Sequence, residues 1–149
     1  MLPTNTSVRE LMGVADTVAL GNELATTIED KDILLLFGEL GAGKTTLAKA
    51  MLESLGVTDD TTSPTFTLMN VYRLPNVKNG IHTAVHVDAY RIETESELTD
   101  IGLQDYLGQP GTVCLIEWPE KIPNLLQAHK TVSLHLAHTP NGRSATITT

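Results

Sequence analysis

The feature that most constrains this chain is a glycine-rich segment that stands between a short apolar run and an amphipathic stretch. Residues 33–37 are all apolar and of strand length, which is typical of a strand buried on both faces in a parallel sheet. In residues 45–55 the apolar side chains recur every three or four positions, and Gly56 follows where a left-handed helix cap would stand. The order of strand, glycine loop and helix predicts an α/β domain built on a covered sheet.

The glycine-rich segment, residues 38–45, reads GELGAGKT and matches the phosphate-binding loop, or P-loop: glycine, four residues, glycine, lysine, then serine or threonine. Its glycines let successive backbone amides point inward around an anion, and the following helix adds the positive end of its dipole. In this motif Lys44 reaches the β and γ phosphates, and the Thr45 hydroxyl is a ligand of Mg²⁺. We therefore expect the loop to bind a nucleotide with Mg²⁺.

A nucleotide-hydrolysing site of this type also needs a carboxylate near the metal, at the end of a buried strand. Glu117 follows four consecutive apolar residues, and Asp88 follows the shorter run VHV. We favour Glu117 as the metal ligand because its strand is the more completely apolar, and we expect Asp88 to hold a metal-bound water or to orient the attacking water. The alternative for each acid is a strand-end residue that caps a helix. Lys44, Asp88 and Glu117 are thus the candidate catalytic residues.

The remaining patterns complete a mixed sheet. Residues 66–72 and Ile81–Asp88 are rich in β-branched and apolar side chains, and the turn-forming residues between them predict an antiparallel hairpin. Those turn-forming residues are Pro75, Asn76, Asn79 and Gly80. Further predicted elements are a strand at 7–12, a helix with Asp16 as its N-cap, a helix at 96–107, and strands at 112–117, 131–137 and 144–148.

Length and composition set the class of protein. The 149 residues, 41% of them hydrophobic, are the size of one ordinary domain, and no repeat or linker divides them, so we expect one domain over residues 1–149. The single Cys114 cannot form an internal disulfide, which suits a reducing compartment. The longest apolar run has five residues, and residues 1–10 lack the pattern of a signal peptide. These observations favour a cytoplasmic protein with no membrane contact.

The charge of the chain bears on its partners. A net charge of −8 disfavours a protein that binds nucleic acid alone, because such proteins cluster cations against the phosphates. The acid excess is concentrated between Val85 and Lys121, where there are eight acids and two bases. One interpretation of this acidic segment is a solvated helix face, and the other is a docking surface for a basic partner.

Five motifs, taken together, resemble one family: the small bacterial ATPases of tRNA threonylcarbamoyladenosine biosynthesis, of the TsaE type. In chain order they are GELGAGKTT at 38–46, SPTFTL at 63–68, HVDAYR at 86–91, ELTDIGLQDYL at 97–107 and LIEWPE at 115–120. Many families share the glycine loop, whereas the succession of SPTF, HxDxYR and IEW is specific. The resemblance covers roughly residues 12–147, with Ala89 standing where a bulkier apolar residue is common.

The resemblance implies a P-loop NTPase-like three-layer domain with a mixed, mainly parallel sheet, which binds and slowly hydrolyses ATP with Mg²⁺. It implies a complex with two partner proteins of the pathway, so that tRNA is contacted only indirectly. On this chain the family's metal ligands fall on Thr45 and Glu117, and a functionally required acid falls on Asp88. The nucleotide-binding positions that it implies are Gly41, Ala42, Gly43, Lys44, Thr45 and Thr46 in the loop, Thr17 near the adenine, Ser63 and Thr65 in a switch segment, and Arg143.

Several alternatives remain at this point. A small-molecule kinase would use the same loop but needs clustered cations over the transferring phosphate, and the four arginines of the chain are scattered. A GTPase is disfavoured because no NKxD motif is present. A third alternative is a module that signals its bound nucleotide to partners and hydrolyses it only incidentally. It differs from the ATPase mainly in that its function does not need hydrolysis. Trp118 is a candidate to stack near a nucleotide or partner, or else a packing residue, and the five histidines are interpreted as structural or surface residues.

Overall fold

The structure, a computed structural model, describes residues 5–58 and 67–149, and its strands form one mixed sheet of seven. The strands are β1 (Thr6–Leu11), β2 (Ile33–Gly38), β3 (Met69–Lys78), β4 (Ile81–Asp88), β5 (Thr112–Glu117), β6 (Val132–Thr139) and β7 (Gly142–Thr148). Their order across the sheet is β1-β7-β6-β2-β5-β4-β3. The central strands β6, β2, β5 and β4 are parallel, and the outer pairs are antiparallel.

Helices cover both faces of this sheet. They are α1 (Val14–Thr27), α2 (Lys44–Ser54), α3 (Ser96–Asp100) and α4 (Pro123–Leu126), with 3-10 turns at Leu103–Asp105 and Pro119–Lys121. Successive residues of β2 alternate between two apolar cores: Leu34 and Leu36 pack with α1 and α2, whereas Ile33 and Leu35 pack on the face of α3. The expected three-layer α/β fold is confirmed. In the described part of the chain, no helix combines the length and the hydrophobicity that a membrane crossing requires.

Most predicted elements are confirmed within two residues, but the hairpin differs from its prediction. Strand β3 continues through Pro75 and Asn76 to Lys78, and only Asn79 and Gly80 form the turn. Both turn residues have positive φ, 52° and 78°, as a tight two-residue hairpin requires. A proline is tolerated in β3 because this strand lies at the edge of the sheet. Phe66, where the predicted strand began, lies outside the described residues.

Two helix predictions were wrong in detail. Gly13, and not Asp16, precedes α1; Asp16 lies in the first turn, where its carboxylate accepts a hydrogen bond of 2.8 Å from the Met12 amide. The predicted helix over 96–107 is interrupted, because α3 ends at Asp100 and Gly102 has a left-handed φ of 88°. A left-handed residue ends the regular helical hydrogen bonding, so the segment continues only as a 3-10 turn.

Glu95 and Glu97, two acids of the acidic segment at the start of α3, accept hydrogen bonds from other residues of the chain. The Glu97 carboxylate accepts hydrogen bonds of 2.6 and 3.0 Å from the amides of Glu93 and Thr94, and these bonds lower its pKa. The Glu95 carboxylate accepts bonds from the Leu125 amide and the Asn124 side chain, at 3.0 and 2.6 Å. These two acids therefore fasten α3 to its surroundings, and their charges are only partly available to a partner.

Candidate nucleotide-binding site

The glycine loop joins the end of β2 to the start of α2. Gly41 and Gly43 have φ values of 80° and 105°, a conformation that residues with a side chain rarely adopt. At Gly38, where φ is 153°, a Cβ atom would lie 2.7 Å from the Leu136 carbonyl oxygen of β6. The loop therefore depends on glycine for its backbone conformation and for its close contact with β6. Ala42 is buried beneath it, and its amide bonds to the Glu39 carbonyl at 3.0 Å.

The Lys44 ammonium lies inside the loop. It donates hydrogen bonds to the carbonyl oxygens of Gly38 and of Glu39, the latter at 3.0 Å, and its Nζ is 4.1 Å from the centroid of the Trp118 ring. The residue is only 5% exposed, and this burial lowers the pKa of its ammonium, although nearby carboxylates oppose the shift. The fold thus places a buried positive charge inside the glycine loop, where it is held by two of the loop's carbonyl oxygens.

Thr45 and Glu117 meet beside the loop. Parallel pairing of β2 with β5 puts Leu36 opposite Glu117, so the end of β5 lies next to the first turn of α2. There the Thr45 hydroxyl donates to Oε1 of Glu117 at 2.8 Å, and Glu117 is 2% exposed. A hydroxyl and a carboxylate are the hard oxygen ligands that Mg²⁺ prefers. This donor set fits a Mg²⁺ ion held between the two side chains.

A histidine completes the surroundings of Glu117. His86, fully buried on β4, lies with its Nε2 atom 2.6 Å from Oε2 of Glu117. This contact is not expected from the sequence, where His86 is interpreted as a structural or surface residue. The signal was present: a histidine in the otherwise apolar inner part of a strand needs a polar partner, and the end of a neighbouring strand supplies one.

Asp88 ends β4 beside this cluster. Its Oδ1 atom accepts a hydrogen bond of 3.0 Å from the Tyr90 amide, and the amide of Ala89 binds the Glu117 carbonyl at 3.1 Å. Burial raises the pKa of the half-buried Asp88 carboxyl. The structure thus brings Asp88 to the same edge of the sheet as Glu117, as the sequence predicts, with its carboxylate facing the cavity.

Trp118 and Tyr90 form an aromatic wall. The Trp118 backbone is left-handed, with φ of 60°, and its ring lies 4.9 Å from that of Tyr90 at an interplanar angle of 41°. An indole between an ammonium and a second ring is held by cation–π and tilted aromatic contacts. The Trp118 ring therefore lines the cavity beside the loop, and it also packs, partly buried, against the apolar core on the face of α3.

Arg143 and Thr17 take different positions. Arg143, on β7, reaches across the loop and donates to the Gly41 carbonyl at 3.0 Å. Thr17, on α1, is fully buried under Gly43, and its hydroxyl has no hydrogen-bond partner among the described residues. The structure therefore places Arg143 at the cavity and Thr17 behind the loop, away from the cavity wall. Ser63 and Thr65 lie outside the described residues.

Most of these side chains surround one cavity of about 280 Å³ at the carboxyl ends of the central strands. Such an edge is where open α/β sheets bind their ligands. The residues that line it are Val14, Leu40, Gly41, Gly43, Lys44, Thr45, Thr46, Asp88, Tyr90, Glu117, Trp118 and Arg143. Most of the predicted site residues thus lie around a single opening, together with Val14, Leu40 and Tyr90, which the sequence analysis did not select.

Comparison with known proteins agrees with this arrangement. A family model described as "Threonylcarbamoyl adenosine biosynthesis protein TsaE" matches residues 11–145. The chain belongs to the TsaE family. Members bearing that name include one from Bacillus subtilis, 41% identical over 111 residues, and one from Treponema pallidum, 36% identical over 122. The aligned parts are 74% and 81% of this chain, and 65% and 85% of those two relatives.

The fold is also that of a solved structure. The crystal structure of Bacillus subtilis YdiB superposes with a TM-score of 0.73 at 28% sequence identity. The match covers 99% of this chain and 86% of the other. Because it includes almost the whole chain, the TsaE-family assignment and the three-layer sheet describe the same region of the molecule.

Proposed function

We propose that this chain, as a single ATPase domain over residues 1–149, is a Mg²⁺-dependent ATPase of threonylcarbamoyladenosine biosynthesis that acts with two partner proteins of the pathway. The observation that carries the proposal is the contact of Thr45 with Glu117, because it puts two oxygen ligands beside the phosphate-binding loop. The pathway is taken from the family, whose members bear threonylcarbamoyladenosine biosynthesis in their names.

In this proposal the loop and Lys44 bind the phosphates of ATP. The amides of the loop surround the phosphates, and Lys44 exchanges its loop carbonyls for phosphate oxygens and neutralises their charge. Thr45 and Glu117 would hold Mg²⁺, which when bound would neutralise negative charge on the phosphates. Arg143 fixes the loop through Gly41 and lies close enough to the opening to meet the nucleotide.

Asp88 prepares the water. Asp88 lines the same cavity as Lys44, and in this proposal its carboxylate orients the attacking water and accepts its proton. Burial raises the pKa of this carboxyl, which makes the ionised form a stronger base than an exposed aspartate. Trp118 and Tyr90 shield one side of the opening from solvent.

The partners, in this proposal, hold the tRNA. The chain carries a net charge of −8, so its surface repels a polyanion, while a basic partner is attracted to it. We therefore assign tRNA contact and threonylcarbamoyl transfer to the two partner proteins, and ATP hydrolysis in the cytoplasm to this chain.

Reconstitution tests the proposal. The two candidate partners, tRNA, a threonylcarbamoyl donor and ATP are incubated with and without this chain, and modified adenosine is measured. We expect repeated modification only with the chain present, loss of ATP binding or turnover with Lys44→Ala, and ATP binding without modification with Asp88→Ala. If both variants support modification of the tRNA adenosine at the wild-type level, the proposal is refuted.

The same reaction separates the alternatives. Arg143 is the only arginine among the described residues that line the cavity, too few cations for the lid of a kinase. Phosphate released only to water in the presence of candidate acceptors supports the ATPase, whereas a phosphorylated acceptor identifies a kinase. A variant that binds ATP without cleaving it and still supports repeated rounds of modification identifies a sensing module.

A further inference from the structure

We propose that His86 is a positioning residue that fixes the orientation of the Glu117 carboxylate. The two side chains are 0% and 3% exposed, and Nε2 of His86 lies 2.6 Å from Oε2 of Glu117. The inference rests on the proposed function, because it concerns how Glu117 is presented to Mg²⁺. His86 itself does not line the cavity and therefore acts only through Glu117.

The two oxygens of Glu117 have different partners. Oε2 faces His86, and Oε1 accepts the Thr45 hydroxyl at 2.8 Å. The terminal torsion of a glutamate is broad and roughly two-fold, so a carboxylate with one contact rotates readily. Contacts at both oxygens, from different elements of the fold, set the plane of the group and reserve Oε1 for the side of Thr45.

The ring of His86 supplies this contact through one nitrogen. An ionised carboxylate only accepts hydrogen bonds, so the contact requires the hydrogen on Nε2. The other nitrogen, Nδ1, is buried and has no hydrogen-bond partner among the described residues, which suits a bare acceptor and would be costly for an N–H. A leucine would fill this space with no unpartnered nitrogen, so the specific contribution of the imidazole is its Nε2–H.

Sheet topology brings this donor to the carboxylate. In the parallel pairing of β4 with β5, His86 stands opposite Leu115 and Asp88 stands opposite Glu117. The ring therefore leans along the sheet toward the carboxyl ends to reach Glu117. Strand β4 thus carries two polar residues with different roles. Asp88 lines the cavity, whereas His86 lies outside the cavity lining and contacts Glu117.

Metal binding to three proteins tests the inference. Outer partners of metal ligands typically contribute about 10–100-fold to metal affinity. With Mn²⁺ as the probe and ADP present, we expect His86→Leu to weaken Mn²⁺ binding by about 10–100-fold, and His86→Gln, whose amide can donate from nearly the Nε2 position, to restore most of it. Binding of ADP in the presence of a chelator should be the same in wild type and both variants.

Val87→Ala is the matched control, because Val87 is a buried neighbour in β4 that packs into the other core. It should lower the unfolding midpoint and leave Mn²⁺ affinity unchanged. An equal loss of Mn²⁺ affinity in His86→Leu and His86→Gln, or wild-type affinity in His86→Leu, would overturn the positioning role. Wild-type protein that binds ADP with no contribution from Mn²⁺ would instead overturn the proposed function.

A second measurement does not depend on nucleotide or metal. In ¹⁵N-histidine-labelled protein, we expect the His86 ring to carry its hydrogen on Nε2, with a downfield proton shift that is lost in Glu117→Leu. A hydrogen on Nδ1, or a shift that does not respond to Glu117→Leu, would contradict the proposed contact.

Discussion

The contact between Thr45 and Glu117 makes a quantitative prediction for the protein without nucleotide. The hydroxyl donates to a carboxylate that is 2% exposed, so little water is available to replace it. A hydrogen bond to a charged group contributes about 1.5–3 kcal/mol to stability. We expect Thr45→Val, which keeps the shape and removes the donor, to lower the free energy of unfolding by about 2 kcal/mol, or roughly 30-fold in the folding equilibrium.

A double-mutant cycle isolates this contact from other effects of the substitutions. Glu117→Leu removes the acceptor, and in that background Thr45→Val should change the free energy of unfolding by less than about 0.5 kcal/mol. The assay is urea unfolding of all four proteins at neutral pH with a chelator and no nucleotide. The loss of the bond from His86 to Glu117 is common to both proteins that carry Glu117→Leu, so it cancels in the coupling energy.

The result that would refute this reasoning is additivity. If Thr45→Val has the same effect with and without Glu117, the two side chains do not interact in solution. The metal site would then not be preformed, and the proposed function would lose the observation that carries it. A coupling of about 1.5–3 kcal/mol would mean that the two proposed ligands are in contact in the protein without metal.

Three further predictions concern the loop, the cavity acid and the charged surface. Gly38→Ala should cost about 1–3 kcal/mol more in urea unfolding than Gly41→Ala, since both have positive φ but only the former brings a Cβ against a backbone oxygen. Burial raises the pKa of Asp88 above its ordinary 3.8, so the folded state binds this proton more tightly than the unfolded state does. The ionised carboxylate therefore destabilises the folded state, and the stability gained by Asp88→Asn should be larger at pH 7 than near pH 4. An equal gain at both pH values would contradict this prediction. Lysine at the exposed Glu93 and Asp100 should slow association with a basic partner about tenfold at low salt and little at about 1 M, whereas unchanged rates at low salt would make the acidic segment a solvated face.

The loop was predictable because all its determinants are contiguous in the chain. A buried strand, glycines at the left-handed positions and an amphipathic helix follow one another in the sequence, and each has a local physical reason. The preference for Glu117 over Asp88 as the metal ligand rests only on the apolar character of the preceding strand, and it does not include a direct contact with Thr45. The structure puts Glu117 at 2.8 Å from Thr45, while its role as a metal ligand stays a prediction.

Local backbone detail was less predictable. Asp16 is a good N-cap by residue type, yet Gly13 is the residue that precedes the helix. The Asp16 carboxylate instead accepts a hydrogen bond from the amide of Met12, one turn earlier. Gly102 divides the acidic segment because its left-handed φ ends α3. A lone glycine in a helical pattern does not by itself predict a left-handed conformation. Both outcomes depend on how the segment packs on the sheet, which periodicity alone does not specify.

The contact between His86 and Glu117 could not be predicted from the sequence, because it depends on how the strands are paired. Residues 86 and 117 are 31 positions apart, and they meet because β4 pairs with β5 in parallel. The sequence marks both strands as buried, but the order of strands in a sheet is set by packing of the whole domain, so neither their adjacency nor their register can be derived from apolar runs. Once that register is known, a polar residue buried on one strand must be examined against the end of its neighbour, because burial without a partner costs about 1–3 kcal/mol. That rule identifies His86 and Glu117 in this chain, and it gives a histidine that the sequence alone does not single out a testable role beside the proposed metal ligand.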